Sequence, residues 1–191
     1  MQKVIGQSVL VGMCLIGLSA CQNTQHAIKT AQIRYAALTP NAEATVKIFC
    51  SGTNTCEFER IGNVPVVSDT THLVSNEAIQ KGFVRLKASS TLQSNALYLT
   101  VPAQQYEVVV RFYPISIDRA ETIHVIHPFK ANKAYTFTMY RDRVKRANNL
   151  LNAAVPDPLC VKVMEEKRVV RRFCKPYNVL TGLGEFVEQK N

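Results

Sequence analysis

Seven short runs rich in β-branched and aromatic residues follow one another between residues 44 and 142, and they constrain this chain to a β structure. They read ATVKIFC, CEFERIG, GFVRLKA, ALYLTVP, YEVVVRFYP, TIHVIHPF and AYTFTMYRD, and clusters of Gly, Pro, Asn or Asp separate them. Runs of this composition and spacing are typical of antiparallel sandwiches and barrels. We therefore predict a mainly β domain, built as an antiparallel β-sandwich with one or two short helices.

Apolar alternation within one run indicates how its sheet is buried. Between residues 106 and 113, large apolar side chains recur at every second position, while Glu107 and Arg111 lie between them. Successive side chains of a strand point to opposite faces. We therefore expect one face of this strand in the core and the other, mixed face towards solvent.

Three segments have helical signals instead. SNEAIQKG offers Ser75 as an N-cap and Gly82 as a terminator, and DRVKRANNLLNAAVP predicts a helix that ends before Pro156. A third helix is expected over residues 27–38. Its apolar stripe, which we expect to dock on the domain rather than insert in lipid, consists of Ile28, Ala31 and Tyr35.

The first twenty residues have the composition of an export signal. Lys3 is their only charged residue, and an apolar stretch covers residues 9–18. This stretch is about half as long as the roughly 20 apolar residues that a membrane-spanning helix needs. We therefore predict that residues 1–20 are a signal peptide that is removed from the mature protein.

The residues at the end of this signal resemble the lipobox of bacterial lipoproteins. Leu18, Ser19 and Ala20 precede Cys21 in the order of that family, after a charged and an apolar region. In the family, the cysteine sulfur receives a diacylglyceryl group, signal peptidase II cleaves before it, and the new amine is acylated. The resemblance implies that Cys21 is the lipidated residue and that acyl chains such as palmitate hold the protein on a membrane.

The residues that follow the cysteine bear on the membrane and on the domain boundaries. In the lipoprotein family an Asp at the next position retains many such proteins in the inner membrane of enteric bacteria, whereas this chain has Gln22 and Asn23. The resemblance implies the outer membrane, on its periplasmic face. We expect residues 21–43 to form the lipidated N-terminus and a tether, and residues 44–191 to form a single β-rich periplasmic domain.

Four cysteines remain after the signal is removed and Cys21 is acylated. An even number in an exported chain indicates two disulfides, for which three connectivities are open. Strand-like runs flank residues 51–55 and residues 165–167, so two hairpins would pair Cys50 with Cys56 and Cys160 with Cys174. The second pair would close a C-terminal hairpin. Neither pair has the spacing of a C-x-x-C redox motif or of a zinc knuckle.

Positive charge is concentrated near the C-terminus. The full chain carries a formal charge of +9, and loss of Lys3 with the signal would leave +8. Residues 141–175 hold ten Lys and Arg residues against four Asp and Glu residues. In an exported protein such a region attracts anionic glycolipid, phospholipid or acidic glycan rather than nucleic acid, and the alternative is an ordinary salt-screened surface. The candidate contact residues are Arg141, Arg143, Lys145, Arg146, Arg168, Arg171 and Arg172.

A second resemblance covers residues 97–142. LYLTVPAQQYEVVVRFYP and HPFKANKAYTFTMYRD place a strand, a Pro-led turn, a long strand and a last strand in the order of small β-sandwich modules of bacterial envelope proteins, including PEGA-like repeats. Those repeats have a glycine at two turns, where this chain has residues 103–105 and Asn132. Asn tolerates a positive φ, so the second departure is mild. The resemblance implies an immunoglobulin-like or PEGA-like sandwich that binds other molecules without a catalytic centre.

Motifs for catalysis and metal binding are weak. Residues 182–184 form a lone G-x-G, and neither G-x-S-x-G nor H-E-x-x-H occurs. His124 and His127 would point to opposite faces of a strand and would not share a metal ion. Glu165 and Glu166 lie at a predicted hairpin tip, where solvated carboxylates do not serve as a tuned acid and base. We predict no catalytic residue, no metal site and no cofactor.

Two functions of different classes are open. The leading hypothesis is a lipid-anchored envelope protein whose non-catalytic β domain binds a protein or an anionic glycolipid through a sheet edge or the basic region. The alternative is a periplasmic small-molecule carrier or hydrolase-inhibitor lipoprotein. A concave apolar cavity would favour the carrier, and a flat charged face would favour the binding module.

Replacement of Cys21 by alanine is expected to abolish the incorporation of labelled palmitate, because the sulfur that starts the acylation is lost. The measurement is metabolic labelling followed by purification of the protein. Cys14→Ala is the matched control, since Cys14 leaves with the signal, and this variant should label like the wild type. Labelled palmitate on the Cys21→Ala protein would contradict the assignment.

Overall fold

The computed structural model of the protein describes residues 24–39, 41–87, 95–143, 156–176 and 184–190. Within these ranges helix α1 spans residues 24–36 and helix α2 spans Asn76–Gln80. The strands are β1 (Val46–Ser51), β2 (Thr55–Ile61), β3 (Val64–Pro65), β4 (Val84–Leu86), β5 (Leu97–Val101), β6 (Gln105–Tyr113), β7 (Glu121–Pro128), β8 (Ala134–Arg141), β9 (Leu159–Glu165), β10 (Arg168–Lys175) and β11 (Val187–Glu188).

The strands form two sheets that pack face to face. A seven-stranded sheet has the order β11-β10-β9-β8-β1-β5-β4, and a four-stranded sheet has the order β3-β2-β6-β7. Buried apolar residues of both sheets belong to one continuous cluster, as in a β-sandwich. The prediction of a mainly β sandwich with short helices is confirmed.

One strand pair departs from the antiparallel pattern. β1 pairs antiparallel with β5 but parallel with β8, so the seven-stranded sheet is mixed. A tight turn can join only antiparallel neighbours, whereas strands distant in the chain can pair in either direction. β8 reaches β1 only after the chain has passed through the other sheet. The order of the runs in the sequence does not reveal that route.

The predicted pairing of Cys50 with Cys56 is confirmed, but the predicted hairpin around it is wrong. Cys50 lies in β1 and Cys56 in β2, and these strands belong to different sheets. The short loop between them therefore carries the chain across the sandwich, and the disulfide ties the two sheets at this crossing. Gly52 in the loop has φ +97°, and a Cβ there would lie 2.0 Å from the carbonyl oxygen of Met139. Only glycine fits this close approach.

The predicted disulfide of the C-terminal hairpin is also confirmed. Cys160 in β9 and Cys174 in β10 lie directly opposite each other and are bonded. The two strands pair antiparallel on either side of a turn that contains Glu166, which has φ +54°. The C-terminal hairpin is thus closed by its own turn and by a covalent bond near its open end.

The core lies between the inner faces of the two sheets. Among its largest fully buried side chains, Phe58 and Phe112 come from the four-stranded sheet, and Tyr135 and Phe137 come from the seven-stranded sheet. Aromatic side chains bury large apolar areas and dominate the energetics of such a core. The inner face predicted for residues 106–113 is confirmed, but the expectation that the other face of β6 meets solvent is wrong, because Val109, Arg111 and Tyr113 are buried as well.

Helix α1 packs on the domain by a different face from the predicted one. Ile33 is only 3% exposed and belongs to the core cluster, and Lys29 Nζ donates a hydrogen bond to Asn76 Oδ1 (2.5 Å). Ile28 and Tyr35, which we expected to dock, are 51% and 78% exposed. Ile33 lies about 160° around the helix from Tyr35 at 100° per residue. The helix can therefore bury one of these faces only.

Helix α2 begins and ends as predicted. The Ser75 side chain accepts a hydrogen bond from the Ala78 N–H (3.0 Å), which satisfies a backbone donor at the first turn. Gly82 follows the helix with φ +67°. Neither of the two described helices is long and apolar enough to cross a membrane. The signal peptide, Cys21 and residues 144–155 of the helix predicted for DRVKRANNLLNAAVP lie outside the described residues.

Truncation of Ile33 tests the docking of α1. Ile33→Ala is expected to lower the free energy of unfolding by about 2–4 kcal/mol, because it leaves a cavity in the core. Ile28→Ala on the opposite face is the matched control and should change it by less than about 0.5 kcal/mol. Urea denaturation of both variants measures the difference. Equal effects would show that α1 does not dock through Ile33.

Candidate functional site

The outer face of the seven-stranded sheet, turned away from the core, carries aromatic and cationic side chains. The residues that alternate with them, such as Ile48, Phe137 and Val161, are buried, so these side chains point outwards. We call this surface the basic-aromatic face. Its members are Lys47, Phe49, Lys87, Tyr98, Tyr140, Lys162 and Arg172.

One part of the basic-aromatic face lies over β1, β5 and the end of β4. The rings of Phe49 and Tyr98 are stacked, with their centroids 5.0 Å apart. Lys87 Nζ lies 5.8 Å from the centroid of the Phe49 ring. A cation at this distance is attracted by the negative face of the ring. The contacts hold two flat rings and an ammonium group side by side at the surface.

A second part lies over β8, β9 and β10. Lys162 Nζ and Arg172 Cζ lie 5.7 and 5.9 Å from the centroid of the Tyr140 ring. Burial raises the pKa of the Tyr140 hydroxyl, and the Arg172 guanidinium lowers it in part. Tyr140 lies opposite Cys160 in the neighbouring strand. The disulfide of the C-terminal hairpin therefore fixes the strands beneath this group of side chains.

The charge of the basic-aromatic face is mainly positive. Asp142, just after β8, forms an ion pair with Arg172. In the part of the chain that the structure describes, Lys47, Lys87 and Lys162 take part in no ion pair. Three ammonium groups are thus available to an anionic partner, and two of them lie near aromatic rings.

The cations predicted to contact a partner do not form one surface. Arg171 lies on the inner side of β10, where its guanidinium contacts both carboxylate oxygens of Glu188 (2.6 Å each) and donates to the carbonyl of Ile126 in β7 (2.5 Å). Lys175 of β10, which lies in the basic region but was not a predicted contact residue, forms an ion pair with Glu121 of β7 (2.7 Å). Both side chains reach from one sheet to the edge of the other. They hold the sandwich together and are occupied by internal partners.

The remaining predicted contact residues are dispersed. Arg141 donates to the carbonyl of Asp157 (3.2 Å) and lines a cleft of about 120 Å³. Arg143 and Arg168 are exposed at the end of β8 and at the start of β10. Lys145 and Arg146 lie outside the described residues. Of the predicted set, Arg172 is the one described residue that the fold places on the basic-aromatic face.

A buried polar network lies on the outer face of β2 and β6 in the four-stranded sheet, and the sequence analysis missed it. Glu57 of β2 accepts hydrogen bonds from the Tyr113 hydroxyl (2.9 Å) and from His72 Nδ1 (3.1 Å). Arg111 is 4% exposed, lies 3.4 Å from the same carboxylate and donates to the carbonyl of Val67 (2.9 Å). Residues 66–74 lie over this face. The polar positions of β2 and β6 were interpreted as a solvent face because alternation does not show what covers them.

The network suits a structural role. Burial, and next the hydrogen bond that Tyr113 donates to the Glu57 carboxylate, raise the pKa of Tyr113 to about 12. The carboxylate also has the Arg111 guanidinium within 3.4 Å, so its charge is balanced. A buried carboxylate with this many partners is well satisfied. The network holds residues 66–74 on the sheet.

The two histidines of β7 point to opposite faces, as predicted. His124 is exposed, and its Nδ1 lies 3.0 Å from a carboxylate oxygen of Glu107. The ring of His127 packs edge to face on Phe129 and Tyr135, with centroids 5.0 and 5.3 Å apart. Burial lowers the pKa of His127, and a nearby arginine lowers it further. The two rings therefore belong to separate environments.

Glu165 at the end of the C-terminal hairpin differs from the solvated carboxylate that we expected. It accepts hydrogen bonds from the Tyr135 hydroxyl (3.1 Å) and from Lys130 Nζ (3.4 Å). Desolvation raises its pKa, but these two hydrogen bonds together with the charges of nearby lysines leave the pKa of Glu165 below its usual value. Glu166 accepts from the Ala134 N–H (3.0 Å) and fixes the turn. Both carboxylates have structural partners.

Two further groups of residues contain atoms that can bind ligands. Ligand atoms of Asp142, Cys160 and Cys174 lie within 4.8 Å of one another, but the two sulfurs are bonded to each other and are not metal ligands. Gly184 of the G-x-G has a backbone role, because a Cβ there would lie 2.3 Å from the carbonyl oxygen of Pro176. These contacts give neither group a metal or phosphate cradle.

Comparison of the chain with protein-family models, with curated proteins and with solved structures finds no match in any of the three. The candidate site therefore stands on the geometry of this chain alone.

Substitution of Tyr113 tests the buried network through its pH dependence. Because the folded protein keeps the Tyr113 proton up to about pH 12 while an unfolded tyrosine loses it near pH 10.0, the stabilisation is complete below pH 10 and is lost as the pH rises towards 12. When the pH is raised from 9 to 11.5, the free energy of unfolding of the wild type should fall by about 1–2 kcal/mol more than that of Tyr113→Phe. Urea denaturation at both pH values measures this, with Tyr35→Phe at an exposed tyrosine as control. Identical losses in all three proteins would contradict it.

Proposed function

We propose that the protein is a lipid-anchored envelope protein whose non-catalytic β domain binds an anionic glycolipid or acidic glycan through the basic-aromatic face. The anchor is Cys21, on the strength of its resemblance to a lipobox, and the expected location is the periplasmic face of the outer membrane. The partner chemistry is derived from the described part of the sandwich.

The observation that carries this proposal is the combination of cations and flat rings on one face. Lys87 lies over Phe49, and Lys162 lies over Tyr140, with Asp142 as the acidic neighbour. Ammonium groups form charge-assisted hydrogen bonds with phosphate and carboxylate oxygens. Aromatic faces offer apolar area on which the carbon faces of a sugar ring can pack. A ligand that carries both features is a phosphorylated or acidic saccharide.

The dimensions of the face suit an extended ligand. Strands of a sheet lie about 4.8 Å apart, and five such spacings separate β4 from β10, or about 24 Å. This distance would accommodate several sugar units rather than one small molecule. A flat surface of this width also has no enclosing walls, so affinity would depend on charge and would fall with salt.

The carrier alternative receives less support from the described residues. The cleft beside Arg141 has a volume of about 120 Å³, whereas pockets for small ligands are typically about 300–1,000 Å³. The hydrolase-inhibitor alternative has one observation in its favour. The loop between β6 and β7 presents Ile115 and Ile117, which are 73% and 50% exposed, and a protruding loop of this kind could enter the cleft of an enzyme.

Charge reversal on the basic-aromatic face tests the proposed partner. Lys47→Glu combined with Lys162→Glu is expected to weaken binding of the purified mature protein to lipid A, a phosphorylated glycolipid, by about tenfold or more. The binding is measured in mixed micelles at two salt concentrations. The matched control is Lys81→Glu combined with Arg119→Glu, which changes the charge equally at exposed positions at the end of α2 and in the loop between β6 and β7.

The outcomes separate the alternatives. A large loss for the first pair and a small loss for the control pair would support the basic-aromatic face as the binding surface. Equal losses for both pairs would show that net charge alone governs the interaction. No loss for either pair would exclude the face as a glycolipid site and would favour the exposed loop of Ile115 and Ile117.

A further inference from the structure

We infer that the outward face of helix α1 lies on the membrane surface beside the acylated Cys21. The β domain would then rest against the bilayer rather than at the end of a long tether. This inference rests on the proposed lipid anchor and adds an interaction surface of the folded domain, with lipid as its partner.

The first argument is the length of chain between anchor and helix. Helix α1 begins at residue 24, three positions after Cys21. Three residues span at most about 10 Å even when fully extended. Because α1 is packed on the core through Ile33, the start of the domain cannot move farther than this from the anchored residue. An anchor at Cys21 therefore brings α1 within reach of the lipid head groups.

The second argument is the apolar stripe on the exposed side of α1. Ile28 and Tyr35 are 51% and 78% exposed, and Leu38, in the turn after the helix, is 76% exposed. Ile28, Ala31 and Tyr35 fall within an arc of about 60° at 100° per residue. That arc faces away from Ile33, which is buried. The stripe thus has no partner within the described domain.

The third argument is charge. Between Cys21 and Glu43 the chain contains no acidic residue, whereas it contains Lys29 and Arg34. Arg34 is exposed one position before Tyr35, and Lys29 donates to Asn76 at the side of the helix. Anionic phospholipid attracts such cations, and acidic residues would oppose the contact. The charge on α1 is therefore compatible with a negatively charged bilayer surface.

The lipid anchor explains how so small an apolar stripe can stay bound to the membrane surface. Three large apolar side chains would bind lipid weakly on their own, because an interfacial helix normally buries a wider apolar face. An acylated Cys21 converts the contact into an intramolecular one with a high effective concentration. Tyr35 also suits the interface, since its ring is apolar and its hydroxyl can remain hydrated. Lipid is accordingly the occupant that the position of the stripe favours.

A tryptophan reporter can locate the stripe, because the chain contains no Trp. Tyr35→Trp places the reporter on the stripe, and Ile115→Trp places one on the exposed loop between β6 and β7 as the control. Each full-length mature, acylated protein is reconstituted in vesicles of phosphatidylethanolamine and phosphatidylglycerol, with and without brominated acyl chains. Bromine quenches only nearby tryptophan. We expect about twofold quenching at position 35 and little at position 115, as for a helix seated about 5–10 Å into the interface.

A second variant separates lipid contact from other effects. Ile28→Asp combined with Leu38→Asp, in the Tyr35→Trp background, should remove the quenching while the protein stays attached to vesicles through its acyl chains. Both replaced residues are exposed, so the fold should persist. Quenching that survives the two aspartates would overturn the role of the stripe.

The outcomes keep the inference apart from the anchor on which it rests. An acylated, vesicle-bound protein without quenching at position 35 would overturn the inference and leave the lipid anchor intact. A protein without acyl chains at Cys21 would overturn the anchor, and the inference would fail with it. Stronger quenching at position 115 than at position 35 would place the loop, rather than α1, on the membrane.

Discussion

The packing of the two sheets on one apolar core is the constraint from which the other features of the molecule follow. Phe58 and Phe112 meet Tyr135 and Phe137 within a single buried cluster, and the disulfide at Cys50 ties the sheets where the chain crosses between them. Because the inner faces are buried against each other, a partner can bind only to outer faces, sheet edges, helices or loops. Residues 66–74 cover the outer face of the four-stranded sheet at Glu57 and Arg111, whereas His124 and Ile126 of β7 are exposed on the same face. On the outer face of the seven-stranded sheet, Lys47 and Lys87 are exposed.

The alternation of strand β10 divides its cations between two tasks. Arg171 and Lys175 point inwards and contact β7 at the edge of the other sheet, while Arg172 points outwards to Asp142 and Tyr140. Arg171 and Lys175 also protect β7, the edge strand of the four-stranded sheet, because an edge that is already in contact with side chains is less open to pairing with other chains. One basic run thus supports the sandwich on one side and contributes to the basic-aromatic face on the other.

The two proposed contact surfaces are compatible with one another. Helix α1 leads into β1, and Lys47 of the basic-aromatic face lies in the same strand. A domain held at the bilayer by α1 would meet anionic head groups at short range, where charge attraction is strong and less screened. The membrane contact of α1 would then place the basic-aromatic face close to the anionic glycolipid that this face is proposed to bind.

The sequence by itself determined the β class, the Cys160–Cys174 pair, the caps of α2 and the opposite faces of His124 and His127, because each depends on neighbours in the chain or on the period of a strand. Only the tertiary structure decided that Cys50 and Cys56 join different sheets, that β1 pairs in parallel with β8, and that α1 docks through Ile33. It also decided that Arg111 is buried and that Arg171 is held by internal partners. Local periodicity records which residues share a face, but contacts between distant segments decide what covers that face.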